Sequence, residues 1–171
     1  MYHTKLVLSL FLALCVNGVH IVQKSFRLCQ ASSSRESIGN RARSYIGNQT
    51  CHVTGANTSK CNIFVVDVLK EESCPVPNRW FWRYSPIGAE EWADSKSLYL
   101  SMSLCWERCN NPEKGNAKAT EGHVGIVSGY RNTTSASAAA DPQGLIVEND
   151  WGFRSGQNPT CWRYLHKRFL C

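Results

Sequence analysis

Three places in this chain carry residue types that can do nucleophilic chemistry together: Cys61, His123 and the run Glu148-Asn149-Asp150. Lys60-Cys61-Asn62-Ile63-Phe64-Val65-Val66-Asp67-Val68-Leu69-Lys70 places Phe64, Val65, Val68 and Leu69 at i, i+1, i+4, i+5. That stripe predicts a helix with Cys61 in its first turn and Thr58 or Ser59 as the cap. Unpaired N–H groups and the positive end of the helix dipole stabilise a thiolate there and make it nucleophilic at neutral pH. Such a thiol needs a base within hydrogen-bond reach. His20, His52 and His166 have no obvious task, whereas His123 follows Gly122 and opens the apolar run Val124-Gly125-Ile126-Val127, which fixes the ring at a strand end. The base needs an orienting group in turn. Glu148 and Asp150 lie on one face of the strand that follows Leu145-Ile146-Val147 and Asn149 on the other, and any of the three can serve. Each place also has a plainer reading: a half-cystine or buried thiol, a satisfied surface histidine, and solvated residues ending a strand.

The elements that must position these residues are legible in outline. Ser33-Ser34-Arg35-Glu36 is a capping box, and Ile38, Ala42, Tyr45 and Ile46 follow at helical spacing, so a helix is expected over about 34–46. Residues 49–59 are polar and read as a loop. Cys74-Pro75-Val76-Pro77 ends the Cys61 helix. Trp80, Trp82 and Tyr84 alternate with Arg79, Phe81 and Arg83, and a further helix is expected around 89–100. Residues 110–120 read as a polar loop, followed by strands over 123–130, 145–151 and 161–169, with a polar, alanine-rich spacer at 133–140 between the first two. Helices first and a meander of strands later is an α+β pattern.

Gly122-His123-Val124-Gly125-Ile126-Val127, followed by Gly144-Leu145-Ile146-Val147-Glu148-Asn149, resembles the His and acid strands of CHAP and NlpC-type cysteine amidases. Tyr45-Ile46-Gly47, Lys60-Cys61-Asn62 and Phe64-Val65 resemble the half of those enzymes that carries the cysteine. The resemblance covers about 35–66 and 121–152, in the order Cys, His, acid. It is closest to the type VI secretion amidase effectors and the second branch of their domesticated relatives in ticks and mites. One departure is that Pro112-Glu113-Lys114-Gly115 stands where the family has a Pro-Gly-Asp turn. The resemblance implies a papain-like NlpC/CHAP fold with the Cys helix packed on an antiparallel sheet. It also implies hydrolysis of amide bonds in bacterial peptidoglycan, often the D-alanine–diaminopimelate cross-link. Carried over residue by residue, Cys61 is the nucleophile and His123 the general base, and the third role maps best to Glu148, with Asp150 next.

Composition sets the compartment. Among 171 residues, Met1 to Lys5 is a short basic start, Leu6 to Val16 an eleven-residue apolar run, and Val16-Asn17-Gly18 a cleavage-like end, so residues 1–18 read as a secretory signal. An apolar run of that length is too short to span a bilayer, which takes roughly 20 residues, and no later run qualifies. Residues 19–171 then form one secreted, extracellular amidase domain, expected as a monomer. A hydrophobic fraction of 43% excludes a disordered chain. Without Lys5 the formal net charge of +6 becomes +5, which suits approach to an anionic bacterial wall. Scattered basic residues and the lack of a recognised motif argue against nucleic acid as a partner.

Eight cysteines follow the signal: Cys29, Cys51, Cys61, Cys74, Cys105, Cys109, Cys161 and Cys171. Full pairing gives four bridges; a reactive Cys61 leaves a second cysteine unpaired. Cys105 and Cys109 lack zinc-ligand spacing and a His partner and HExxH is absent, so no metal and no cofactor is expected. Sequons at Asn48, Asn57 and Asn132 fit a secreted surface and fall in expected loops. Two competing readings stand beside the amidase. One is a thiol acyltransferase of the lecithin–retinol type, disfavoured because those carry His before Cys and a membrane anchor. The other is a non-catalytic, disulfide-stabilised wall-binding or toxin-like module with Cys61 bridged.

Overall fold

The computed structural model describes residues 34–48, 60–79, 85–103, 105–120, 122–136 and 145–165. The first helix, α1 (Arg35–Ser44), begins at Ser34, whose backbone is extended and whose hydroxyl accepts the Ser37 N–H at 3.1 Å. The cap is therefore one residue beyond the expected Ser33, which lies outside the described residues. Ile38 and Ala42 are fully buried one turn apart, which is the periodicity that defined this helix in the sequence.

Helix α2 (Cys61–Glu71) starts at the expected place, but Lys60 occupies the N-cap position and no side chain caps there. Thr58 and Ser59, the expected caps, lie outside the described residues. Phe64, Val65, Val68 and Leu69 are buried, as the stripe requires. The helix ends in a Schellman arrangement: Ser73 N–H bonds to the Lys70 carbonyl and Cys74 N–H to the Leu69 carbonyl, with Ser73 at φ 53°.

Two short strands, β1 (Asn78–Arg79) and β2 (Ser85–Pro86), pair on either side of the aromatic stretch 80–84, which lies outside the described residues. The single helix expected around 89–100 is instead two short ones, α3 (Ala89–Ala93) and α4 (Leu98–Ser101). Between them Asp94 leaves helical geometry, and its carboxylate accepts the Lys96 N–H at 2.8 Å. Aspartate competing locally for backbone donors favours such a turn over a continued helix.

The remaining strands form one antiparallel sheet: β3 (Trp106–Arg108), β4 (Ala117–Thr120), β5 (His123–Gly129), β6 (Asn132–Ala136), β7 (Ile146–Asn149) and β8 (Thr160–Tyr164). Their order is β3-β8-β4-β5-β6-β7, so β4 to β7 is a meander and β8 returns to insert between β3 and β4. The α+β class holds. Three strands correct the sequence reading. Residues 117–120 are a strand where a loop was expected, 132–136 replace the start of the spacer, and 106–108 form an edge strand. Asn132 accordingly opens β6 instead of lying in a loop, while Asn48 is exposed.

One face of the sheet carries the core. Ala117 and Ala119 of β4, Val124 and Ile126 of β5, Ala136 of β6, Ile146 of β7 and Trp162 and Tyr164 of β8 form one buried cluster with residues of α1 and α2, Trp92 of α3 and Leu100 of α4. Small residues at 117, 119 and 136 let the helices approach the sheet closely. Aromatic edges lock the β3–β8 end, with Trp106 against Trp92 at 5.1 Å and against Tyr164 at 5.5 Å between ring centroids. There the Cys109–Cys161 disulfide ties the residue just after β3 to β8. At the opposite edge, Gly47 and Asn48 exchange backbone hydrogen bonds with Ile146, so the chain leaving α1 covers part of β7. Among the described residues no helix is long and apolar enough to cross a membrane.

Candidate active site

The site is built where the start of α2 meets the start of β5. Thr120 pairs with His123 at the last rung of the β4–β5 ladder, and Gly122, at φ 79°, makes the turn into β5. A side chain at that backbone angle would be strained, so the glycine before the histidine is a requirement of the turn. The Cys61 thiol points at the Gly122 carbonyl oxygen, with Sγ 4.0 Å away. Helix end and strand end thus meet at the residue immediately before His123. Cys61 is a free thiol and only 1% exposed.

The His123 ring is held on three counts. Val124 and Ile126 face the helices, and alternation turns His123 and Gly125 to the other side of β5, over β6. There Nε2 lies 3.0 Å from Ser135 Oγ, and the edge of the ring meets the Trp151 indole, with centroids 4.5 Å apart at 85°. Burial, which penalises the charged form, holds the imidazole below its ordinary value of 6.5. Among the described residues no hydrogen bond joins the Cys61 thiol to the imidazole. The thiol belongs to the buried cluster on the helix side of the sheet, the imidazole is turned to the other side, and the thiol reaches the turn before His123 at the Gly122 carbonyl.

The three polar residues ending the apolar strand have separate partners. Strand β7 pairs with β6, not with the His strand, so β6 stands between His123 and Glu148. The Glu148 carboxylate accepts from Ser128 Oγ at 2.7 Å and lies 3.3 Å from Arg43 Nε of α1. Asn149 accepts the Trp151 N–H at 2.9 Å, which shapes the turn that brings the indole to the imidazole. Asp150 is exposed and pairs with Arg154 at 2.5 Å. Ser135 is the residue that sequence reasoning passed over. The missed signal was the β-branched pair Thr133-Thr134 in what was read as a spacer, which admits a strand and with it a serine beside the histidine.

Beneath this turn lies Lys118, buried on β4 on the same side of the sheet as His123. Its ammonium donates to the Gly152 carbonyl and sits 3.6 Å from the centre of the Phe153 ring. Burial pulls it down to about 8. The lysine ties the turn at residues 150–157 to the sheet and so helps hold Trp151 in place.

A second free thiol, Cys74, lies buried beyond the far end of α2, and burial pushes it up to about 11. Cys105 is disulfide-bonded, as are Cys109 and Cys161. Among the described residues no group of three His, Cys, Asp or Glu side chains is placed to hold a metal ion. His20, His52 and His166 lie outside the described residues. No protein-family model matches the chain, and comparisons with curated proteins and with solved structures return no match.

Proposed function

We propose that this chain is a secreted cysteine amidase of papain-like architecture that hydrolyses stem-peptide or cross-link amide bonds of bacterial peptidoglycan, with Cys61 as nucleophile and His123 as general base. One observation carries the reading: a free cysteine in the first turn of an eleven-residue helix, with its sulfur directed at the backbone of the residue before a half-buried histidine. The reading of residues 1–18 as a signal lies outside the described residues and belongs to this proposal.

The chemistry follows from the two groups. His123 takes the Cys61 proton as the sulfur attacks the scissile carbonyl carbon. Negative charge at this end of α2 is favoured because the amides of a first helical turn lack intrahelical acceptors and point outward. The same amides, that of Cys61 foremost, are donors for the oxyanion of the tetrahedral intermediate. The imidazolium then protonates the departing amine, and a water deprotonated by His123 hydrolyses the thioester.

The non-catalytic alternative rested on a bridged Cys61, and in the structure that cysteine is free. Muropeptide analysis of cross-linked sacculi treated with the wild type and with Cys61→Ala tests the proposal. New cleaved fragments from the wild type alone are expected, and their masses name the bond. Identical profiles with and without protein would sink the hydrolase reading for the walls tested.

A further inference from the structure

We propose that Ser135 is the positioning residue for the His123 imidazole, a neutral hydroxyl standing where a triad has a carboxylate. This rests on the cysteine-amidase reading above and names a role that neither Glu148 nor Asp150 occupies in the structure. Ser135 Oγ is 3.0 Å from Nε2, and the serine is only 1% exposed, so its hydroxyl is shielded from bulk water. A buried hydroxyl is costly to leave unpaired.

The backbone dictates where the hydroxyl sits. Ser135 is in the interior of β6, paired with Val147 of β7. On its other side Gly125 leaves room: a Cβ there would stand 2.9 Å from Ser135 Cβ and 2.6 Å from Thr133 Cγ2. Glycine at 125 therefore lets β6 carry its serine in close against the strand that bears the histidine. The Trp151 indole, at 4.5 Å, stops the ring from swinging away from Ser135.

The proton inventory then selects one tautomer. To accept the Cys61 proton, a ring nitrogen must present its lone pair, and Nε2 is committed to Ser135. Nδ1 is therefore the basic nitrogen, and Nε2 carries the hydrogen and donates it to Ser135 Oγ. After proton transfer both nitrogens bear hydrogen and the Nε2–H bond to the hydroxyl is retained, so no group has to move between the two states. A hydroxyl orients without adding charge, which agrees with an imidazole whose titration is set by burial.

Nitrogen-15 spectra of the His123 ring at neutral pH, in wild type, Ser135→Ala and Ser135→Thr, test the assignment, with wall hydrolysis measured alongside. The wild type is expected as a single Nε2–H tautomer. Ser135→Ala gives a tautomer mixture and a loss in kcat on the order of 100-fold, and Ser135→Thr restores the wild-type spectrum. A wild-type ring protonated at Nδ1 overturns the proposal without any variant having to fold. An unchanged ring spectrum in a folded Ser135→Ala overturns it too, even if activity falls. If the tautomer follows Ser135 while the wild type releases no muropeptides, the orienting bond stands and the amidase reading fails.

Discussion

His123 titrates as burial dictates, and this has a measurable sign. Its folded value lies below 6.5 because the ring is partly removed from water. As pH falls through 6.5 the unfolded chain takes up the proton first, so the folded state loses stability from there down to the lower folded value. Urea unfolding at a series of pH values is expected to show this loss in the wild type and not in His123→Gln. An equal slope in both would place the titration elsewhere. The same burial governs Cys61. At 1% exposure the free thiol is expected to react slowly with iodoacetamide in the native protein and rapidly once denatured without reductant, together with Cys74. Intact masses before and after denaturation count them, and a Cys61 left unalkylated under denaturing conditions would return it to a disulfide.

At the scale of elements, the β5–β6 pair is the least forgiving part of the site. Gly125 faces Thr133 and Ser135 across less than ordinary contact distance, and one of the obstructing atoms is the Thr134 carbonyl oxygen, which belongs to backbone. Gly125→Ala therefore has to push β6 outward. The expected cost is about 1–3 kcal/mol by urea denaturation, with a disproportionate loss of activity because Ser135 moves with the strand. A variant as stable and active as the wild type would show that β6 yields freely. Strand β6 also explains how far the sequence could be read here. Strands β5 and β7 stand out through the valines and isoleucines that face the helices, and α1 and α2 through their 3.6-residue stripes. Asn132-Thr133-Thr134-Ser135-Ala136 and Ala117-Lys118-Ala119-Thr120 lack that contrast. All but Asn132 and Thr120 are buried because neighbouring strands flank them, and small or polar residues fit there without leaving a hydrophobic signature.

For the molecule as a whole, the return of β8 between β3 and β4 is the long-range step, and the Cys109–Cys161 disulfide is placed on it. It closes a segment with a sequence separation of 52 residues, which contains the whole β4–β7 meander. Constraining an unfolded loop of that length is worth about 2–4 kcal/mol. The double variant Cys109→Ser, Cys161→Ser is expected to keep the fold and lose that amount in urea, with the β3 edge losing amide-exchange protection first. An unchanged midpoint would show that the aromatic packing of Trp92, Trp106 and Tyr164 holds the edge alone.

Local chemistry was open to inspection in the chain itself. A cysteine ahead of an apolar helical stripe, a Gly-His pair opening an apolar strand, and a serine pair before a helix are all decided by residues within a few positions of one another. The helix start, the strand start and the α+β class follow from that local patterning. What stands beside His123 is not local. It depends on which strand pairs with β5 and in what register, and a strand of threonine and serine made that partner invisible to periodicity. Folding placed β6 between the histidine and the acidic run. It gave Glu148 to Ser128 and Arg43, Asp150 to Arg154, and the imidazole to Ser135, because side-chain partners across a sheet are set by pairing and not by distance along the chain.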